Sequence, residues 1–359
     1  MSTHLQSPGD KLIDRYKIIR YLNEGGMQQV YLAEDSVFNR YVALKVPKTV
    51  SAEKRFERSA QVSARITHAN VAATFDYFDL GTKGYLIEEF IEGGTLSECL
   101  DKRFGLVDPH LAAHLIHHLS KGVAASHRAG VFHRDLKPSN IMVSSDPSLT
   151  SVKITDFGIA KMAEEEIADA FKDNDSITGS QTVMGALPYM APEMVLDPRG
   201  AARPADIWAL GAILYQLVSG KLPFGQGLRA VPAIVAAILP VQPALFVAKD
   251  QFQPLTGGLW DIVTCCLQKD PAQRPSADSL VEMCAKLCYS TAERHLGIID
   301  SYSGRGRGKW GFIAADDGKQ VFFHRDSFYG DTITSGVRVN FARFPGVPQN
   351  RAFPVLPIK

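Results

Sequence analysis

Apolar and polar positions change rhythm twice along this chain. Up to about residue 91 they alternate in short runs. Residues 16–22, 30–34, 41–46 and 85–91 each read as a strand, and a glycine pair, Gly25-Gly26, lies between the first two. In this stretch only residues 52–66 carry apolar side chains at helical spacing. From about residue 95 the period lengthens, and residues 111–128, 206–219 and 258–267 predict helices. The most apolar stretch, residues 231–248, is interrupted by Pro232, Pro240, Gln242 and Pro243. A spanning helix needs about 20 apolar residues, so this stretch predicts a short helix and an irregular loop in a globular lobe. Past Tyr289 the helical period vanishes and β-rich runs alternate with glycine turns. The pattern predicts a small β-rich lobe, a large helical lobe and a separate small β domain, an α+β chain.

Composition agrees with that division. A chain of 359 residues that is 45% hydrophobic can bury large cores, which excludes a mostly disordered protein and suggests two or three domains. The net charge of +1 argues against a surface that coats nucleic acid or membrane everywhere. It is unevenly spread: residues 296–359 hold nine basic and five acidic side chains, net +4, against 30 and 33, net −3, in the rest. The five cysteines are odd in number and form no C-x-x-C, so they read as reduced thiols. The first ten residues are polar and do not read as a signal peptide. The expectation is a soluble, cytoplasmic protein without a membrane partner.

Short motifs punctuate the middle of the chain. Val42-Ala-Leu-Lys45 stands upstream. His133-Arg-Asp-Leu-Lys-Pro-Ser-Asn140 follows a predicted helix, Asp156-Phe-Gly158 follows a short strand at 152–154, and Ala191-Pro-Glu193 closes a polar stretch. Any one triplet is weak, but all in this order leave chance negligible. On these motifs, residues 12–290 resemble a eukaryotic-like (Hanks-type) Ser/Thr protein kinase of the bacterial kind, with an N-lobe at 12–91 and a C-lobe at 92–290 after a flexible N-terminus at 1–11.

The resemblance implies a bilobal fold, ATP and Mg²⁺ as cofactors, and protein serines and threonines as substrates. Phosphoryl transfer depends on positioning and charge stabilisation. Asp135 would accept or orient the proton of the attacking hydroxyl, and Lys137 would offset charge on the transferred group. Asn140 and Asp156 supply the hard oxygens that Mg²⁺ prefers. Lys45 would hold the α- and β-phosphates, and Gly25, Val30, Ala43, Glu88, Glu89, Ile91 and Met142 fall at positions that line the ATP pocket. Asp206 resembles the buried aspartate that braces the catalytic loop, and Glu193 and Arg274 resemble the ion pair that anchors the activation segment.

Four departures stand out. The phosphate loop reads Asn23-Glu-Gly25-Gly26-Met-Gln28-Gln-Val30, keeping only Gly25 of the usual glycines at its motif position. Ser59 occupies the helix position that normally supplies a glutamate to the lysine, and Glu57 lies on another face. Glu88 falls at the apolar position at the back of the pocket, where a carboxylate needs a cation. It would therefore replace the missing glutamate as the partner of Lys45, unless the alignment slips by one and turns it outward. Ala186 stands where a threonine usually orients the catalytic aspartate and lysine. Among Ser176, Thr178, Ser180 and Thr182, Thr182 is the favoured autophosphorylation site, with Arg134 as the cation for its phosphate.

In the tail, Gly308-Lys-Trp-Gly-Phe-Ile313 and Val321-Phe-Phe-His324 recur at the spacing of a cold-shock domain, with Asp317-Gly318 at the turn between them. The resemblance covers residues 296–359 after a linker at 291–295 and implies a five-stranded OB-type barrel. It implies that Tyr302, Trp310, Phe312, Phe322 and His324 stack on bases of single-stranded RNA or DNA, with Lys309 and Arg325 near the phosphates. The main competing reading is a pseudokinase, a nucleotide-binding scaffold whose working module is this tail. Substrates, activating signal and oligomeric state stay open.

Overall fold

The alternating runs at the start of the chain assemble one twisted antiparallel sheet. The computed structural model describes residues 4–25, 28–81, 83–157, 185–197, 203–304 and 309–359. Strands β1 (Lys11–Leu12), β2 (Tyr16–Glu24), β3 (Gln28–Asp35), β4 (Arg40–Pro47), β5 (Thr74–Asp79) and β6 (Gly84–Glu89) pair in the order β1-β2-β3-β4-β6-β5. One face buries Tyr16, Ile18, Tyr31, Val42, Leu44 and Ile87. The other is crossed by the helix Val50–Ser63, whose Phe56 and Ala60 pack on Leu86.

Residues 4–11 are not the free segment expected from the sequence. Their main chain is spent on the sheet: Leu5 N donates to Gln29 Oε1 and the Tyr31 hydroxyl, Gly9 N to the Ile18 carbonyl, and β1 pairs with β2. The polar side chains of Gln29 and Tyr31 on β3 supply partners that no local pattern reveals.

The helical lobe is organised around two long helices, Pro109–Arg128 and Arg203–Ser219. Asp108 caps the first through His110 N and Leu111 N, and Pro109 sits at N1, where its missing N–H costs nothing. The second is buried nearly all round, which suits a central helix. The helices Gln253–Cys266 and Ala277–Ala285 complete the bundle. A small sheet, β7 (Gly93–Thr95), β8 (Ile141–Ser144) and β9 (Val152–Ile154), faces the first lobe. Residues 231–248 form two short helices, Val231–Ala236 and Ala244–Ala248. No helix among the described residues is long and apolar enough to cross a membrane.

The tail closes into a barrel of β10 (Arg294–Ser303), β11 (Trp310–Ala315), β12 (Gln320–His324), β13 (Arg338–Phe344) and β14 (Arg351–Pro357), ordered β10-β11-β12-β14-β13. Its first strand starts at Arg294, so part of the expected linker is barrel wall. Ile299, Ile313, Val321, Phe323, Val339 and Phe341 fill the interior.

The barrel is seated on the helical lobe. Tyr329 and Leu356 are fully buried within that lobe's core, and Tyr329 and Phe353 pack against Phe252. Arg294 reaches Asp108 through both guanidinium nitrogens, at 2.6 and 2.9 Å, and also donates to Asn340 Oδ1. Asn340 Nδ2 in turn donates to the Pro147 carbonyl at 2.8 Å, and Lys359 N to that of Arg103. Burial pushes Asp108 up, but Arg294 outweighs it and holds the carboxyl below its ordinary range. Its contribution to stability is therefore full above that range and is lost as pH falls through the depressed value. Replacing Arg294 by Met strands a buried carboxylate and is expected to destabilise the protein by about 3–5 kcal/mol, read by urea unfolding. An unchanged midpoint would show that the ion pair does not hold the two bodies together.

Candidate active site

The β4–β6 register sets which side chains enter the cleft between the lobes. Ala43 pairs with Glu88, Lys45 with Leu86, and Val30 of β3 with Lys45. Directly paired residues share a face, so Val30, Ala43, Lys45 and Glu88 point the same way. Glu88 is thus turned inward and buried, and its Oε2 lies 2.5 Å from Lys45 Nζ. Lys45 also donates to Asp156 Oδ1 at 2.8 Å. Glu89, one residue on, turns the other way to Lys153 at 2.9 Å, which leaves its main chain alone at the cleft. Ile91 is buried beyond it, and Met142, on β8, is half-buried.

Burial alone would lower the pKa of Lys45, but Asp156 and Glu88 outweigh it and hold it above its ordinary value, so the ammonium stays charged. Burial keeps Glu88 above the usual carboxylate range, opposed only in part by Lys45. Burial also raises Asp156, which is half-buried, yet it falls below that range because Lys45 and Gln28 favour its charged form. One cation between a buried and a half-buried carboxylate leaves an excess negative charge.

Ser59 does not approach Lys45. Its hydroxyl donates to the Phe157 carbonyl at 2.6 Å, so the helix grips the Asp156-Phe157 turn instead of the lysine. Phe157 is buried with its ring 4.7 Å from that of His133. Sequence reading also missed Gln28, whose Nε2 donates to Asp156 Oδ1 at 3.1 Å. A long amide in place of a loop glycine was the available signal. Gly25 N donates to the Gln28 carbonyl at 2.9 Å, and an added Cβ on Gly25 would meet open space.

The loop at 133–140 hangs from Asp206. This fully buried carboxylate accepts from His133 N at 2.9 Å and Arg134 N at 2.7 Å, and lies 2.8 Å from His127 Nε2. The backbone of Arg134 is left-handed (φ +64°), as is that of Asp156 (φ +63°), a strain of order 1–3 kcal/mol that such braces must offset. Past the brace, Lys137 Nζ lies 2.8 Å from Asp135 Oδ2. Asn140 Nδ2 donates to the Asp135 carbonyl at 2.8 Å and to Oδ2 at 3.2 Å. With its NH₂ so engaged, Asn140 offers its carbonyl oxygen as a ligand atom beside Asp156. Arg274 meets Glu193 through both nitrogens, at 2.6 and 2.9 Å. Ala186 is buried. Thr182 lies outside the described residues, as do Ser176, Thr178 and Ser180.

On the barrel, Trp310 pairs with His324 and Phe312 with Phe322 across β11 and β12. These four share the outer face, with ring centroids 5.5–6.2 Å apart among Trp310, Phe312 and Phe322. Trp310 is 38% exposed, and His324 and Lys309 are exposed beside it. Tyr302 is a correction. A bulge between Ile299 and Ser301 leaves two successive exposed residues, Asp300 and Ser301, and shifts the alternation by one. Tyr302 therefore turns toward the interior and stacks on Phe323 at 6.2 Å instead of joining the outer rings.

Comparison with known proteins places this geometry. Residues 16–284 match the family described as protein kinase domain, a span that ends before the barrel. The chain is similar to the serine/threonine-protein kinase PrkC of Bacillus subtilis, 31% identical over 273 residues, 74% of this chain and 39% of that protein. It is also similar to the serine/threonine-protein kinase pkn2 of Myxococcus xanthus, 31% identical over 292 residues, 78% of this chain and 33% of that protein. The chain thus spans well under half the length of these relatives. Among solved structures it shares its fold with Rad53 1-466 in complex with AMP-PNP, at a TM-score of 0.57 and 20% identity, covering 75% of this chain and 64% of that one.

Proposed function

This chain belongs to the protein kinase family, and we propose that it transfers the γ-phosphoryl group of ATP to serine and threonine hydroxyls of proteins, itself included. The observation that carries the reading is the convergence of Asp135, Lys137, Asn140, Asp156 and Lys45 on one cleft, with Lys45 aimed by Glu88 from the sheet. The donor set fits a divalent cation: the oxygens of Asn140 and Asp156 are hard ligands, and the buried charge beside them is negative in excess. Mg²⁺ held there would neutralise charge on the β- and γ-phosphates.

The chain's own residues do the rest. Lys45 holds the α- and β-phosphates, fixed between two carboxylates so that its ammonium points at one place. Asp135 orients the substrate hydroxyl, whose oxygen bonds to the γ-phosphorus as the bond to the bridging oxygen breaks and ADP leaves. The hydroxyl proton passes to the Asp135 carboxylate. Lys137 stabilises the charge on the group in flight. Arg134 is proposed as the cation for a phosphate on Thr182, tested by phosphate mapping of the wild type against Asp135→Ala.

A scaffold that binds nucleotide without turning it over is the second reading. The contact of Gln28 with Asp156, and Ala186 in place of a hydroxyl residue, favour it. A full catalytic set, which a scaffold has no need to keep, opposes it.

For the barrel we propose a cold-shock-like module that holds single-stranded RNA or DNA on Trp310, Phe312, Phe322 and His324, with Lys309 at the phosphates. Exposed rings on a domain with net charge +4 support this. Each stacked base contributes about 1–3 kcal/mol, so Phe312→Ala is expected to weaken oligonucleotide binding about 5- to 150-fold. Titration by fluorescence anisotropy checks it, and equal affinities would remove Phe312 from the interface.

A further inference from the structure

The barrel's outer face does not end at the barrel. At its Trp310–His324 edge it meets the helical lobe across a cleft of about 340 Å³, whose walls include Lys249, Asp250 and Gln251 on one side and Lys309, Arg325 and Asp326 on the other. Arg325 N donates to the Lys309 carbonyl at 2.7 Å, so the two cations leave the barrel beside the Trp310–His324 pair. Lys249 approaches from the helical lobe and is half-buried. Among the described residues none of the three basic side chains forms an ion pair. Of the two acids, Asp250 is exposed, and the Asp326 carboxylate lies 3.1 Å from His324 Nδ1, the ring nitrogen that accepts from Asp326 N.

Three cations against two acids leave the cleft with a net charge of +1, while other contacts seat the barrel. Burial, and then the charge of Arg325, lower the pKa of Lys249, opposed only in part by Asp326 and Asp331. The anion that fits is one that reaches the cleft from the aromatic face.

We propose that this cleft takes a phosphodiester of a single strand whose bases lie on the barrel, so that Lys249 of the kinase lobe is part of the nucleic-acid site. The inference rests on the reading of the barrel as a nucleic-acid module and extends it across the domain seam. A strand so placed is held by both bodies at once and strengthens their docking by mass action.

The test uses the full chain and a short fluorescein-labelled oligothymidylate, with affinity measured across a salt series. Lys249→Ala is expected to bind more weakly and to flatten the log–log salt slope by about 0.7, the value for one phosphate contact on a single strand. Lys249→Glu should bind more weakly still, and Lys249→Arg should keep the wild-type slope. Phe312→Ala should lose affinity with the slope unchanged, because stacking releases no counterions. Thermal unfolding checks that the variants remain folded.

If Lys249→Ala and Lys249→Glu bind as the wild type does while Phe312→Ala is weakened, the strand stays on the barrel and the proposal is wrong although the module reading stands. If the wild type binds no oligothymidylate at low salt, both fall. Lys249-dependent binding of a phosphothreonine peptide, with none of the oligonucleotide, would also overturn it.

Discussion

Asp135→Ala is expected to lower phosphoryl transfer about 10²- to 10⁴-fold while nucleotide binding is retained. The separation follows from where the contacts lie. Asp135 touches Lys137 and Asn140 but neither Lys45 nor Glu88, which form their own cluster with Asp156. Asn140 keeps its 2.8 Å bond to the main-chain carbonyl of residue 135 when the side chain is removed, so the metal ligand stays placed. The loop itself hangs from Asp206, which is untouched. Single-turnover transfer with saturating ATP, set beside calorimetric nucleotide affinity, separates the two effects. Equal loss of both would mean that Asp135 acts on the fold and not on the chemistry.

Glu88→Leu is the second large effect. It removes one of the two carboxylates that hold Lys45 and leaves the lysine drawn toward Asp156 alone. A lost hydrogen bond to a charged group is worth about 1.5–3 kcal/mol, so kcat/KM for ATP is expected to fall about 10- to 150-fold. In the same background Ser59→Glu places a carboxylate where the family ordinarily has one and is expected to recover at least part of the loss. Ser59→Glu by itself should impair, because a third carboxylate then competes with Glu88 and Asp156 for one cation while the bond to the Phe157 carbonyl is lost. Steady-state kinetics in ATP for the three variants check the series. Wild-type kinetics for Glu88→Leu would leave Asp156 as the only functional partner of Lys45.

How much of this was legible beforehand depended on the range of each contact. Motif spacing placed Asp135, Lys137 and Asn140 because one local loop carries them, and Asp156 because it follows the short strand at 152–154, while the apolar periods placed the lobes. The resemblance to a cold-shock domain also assigned the outer rings of β11 and β12. It misplaced Tyr302 because a one-residue bulge inverts every side chain beyond it, and no turn residue announces that bulge. The seat of the barrel was not legible at all. Arg294 and Asp108 lie 186 residues apart, and neither period nor motif links a strand residue to a helix cap at that distance. Likewise the N-terminal segment is polar and lacks periodicity, yet its amides find Gln29 and Tyr31 on the sheet. The missing glutamate was different: a buried acid at position 88 and a serine at 59 formed a complementary pair of anomalies, and the strand register brings the acid to the lysine.

The central claim is that this cleft performs chemistry and is more than a nucleotide scaffold. The most direct measurement follows the label of γ-labelled ATP in Mg²⁺ with purified protein and a generic protein acceptor, using Asp135→Ala as the blank. The account predicts label accumulating on serine and threonine with the wild type, abolished by chelating the metal and nearly absent in the variant. Nucleotide binding with no more label in the wild type than in the blank would contradict it.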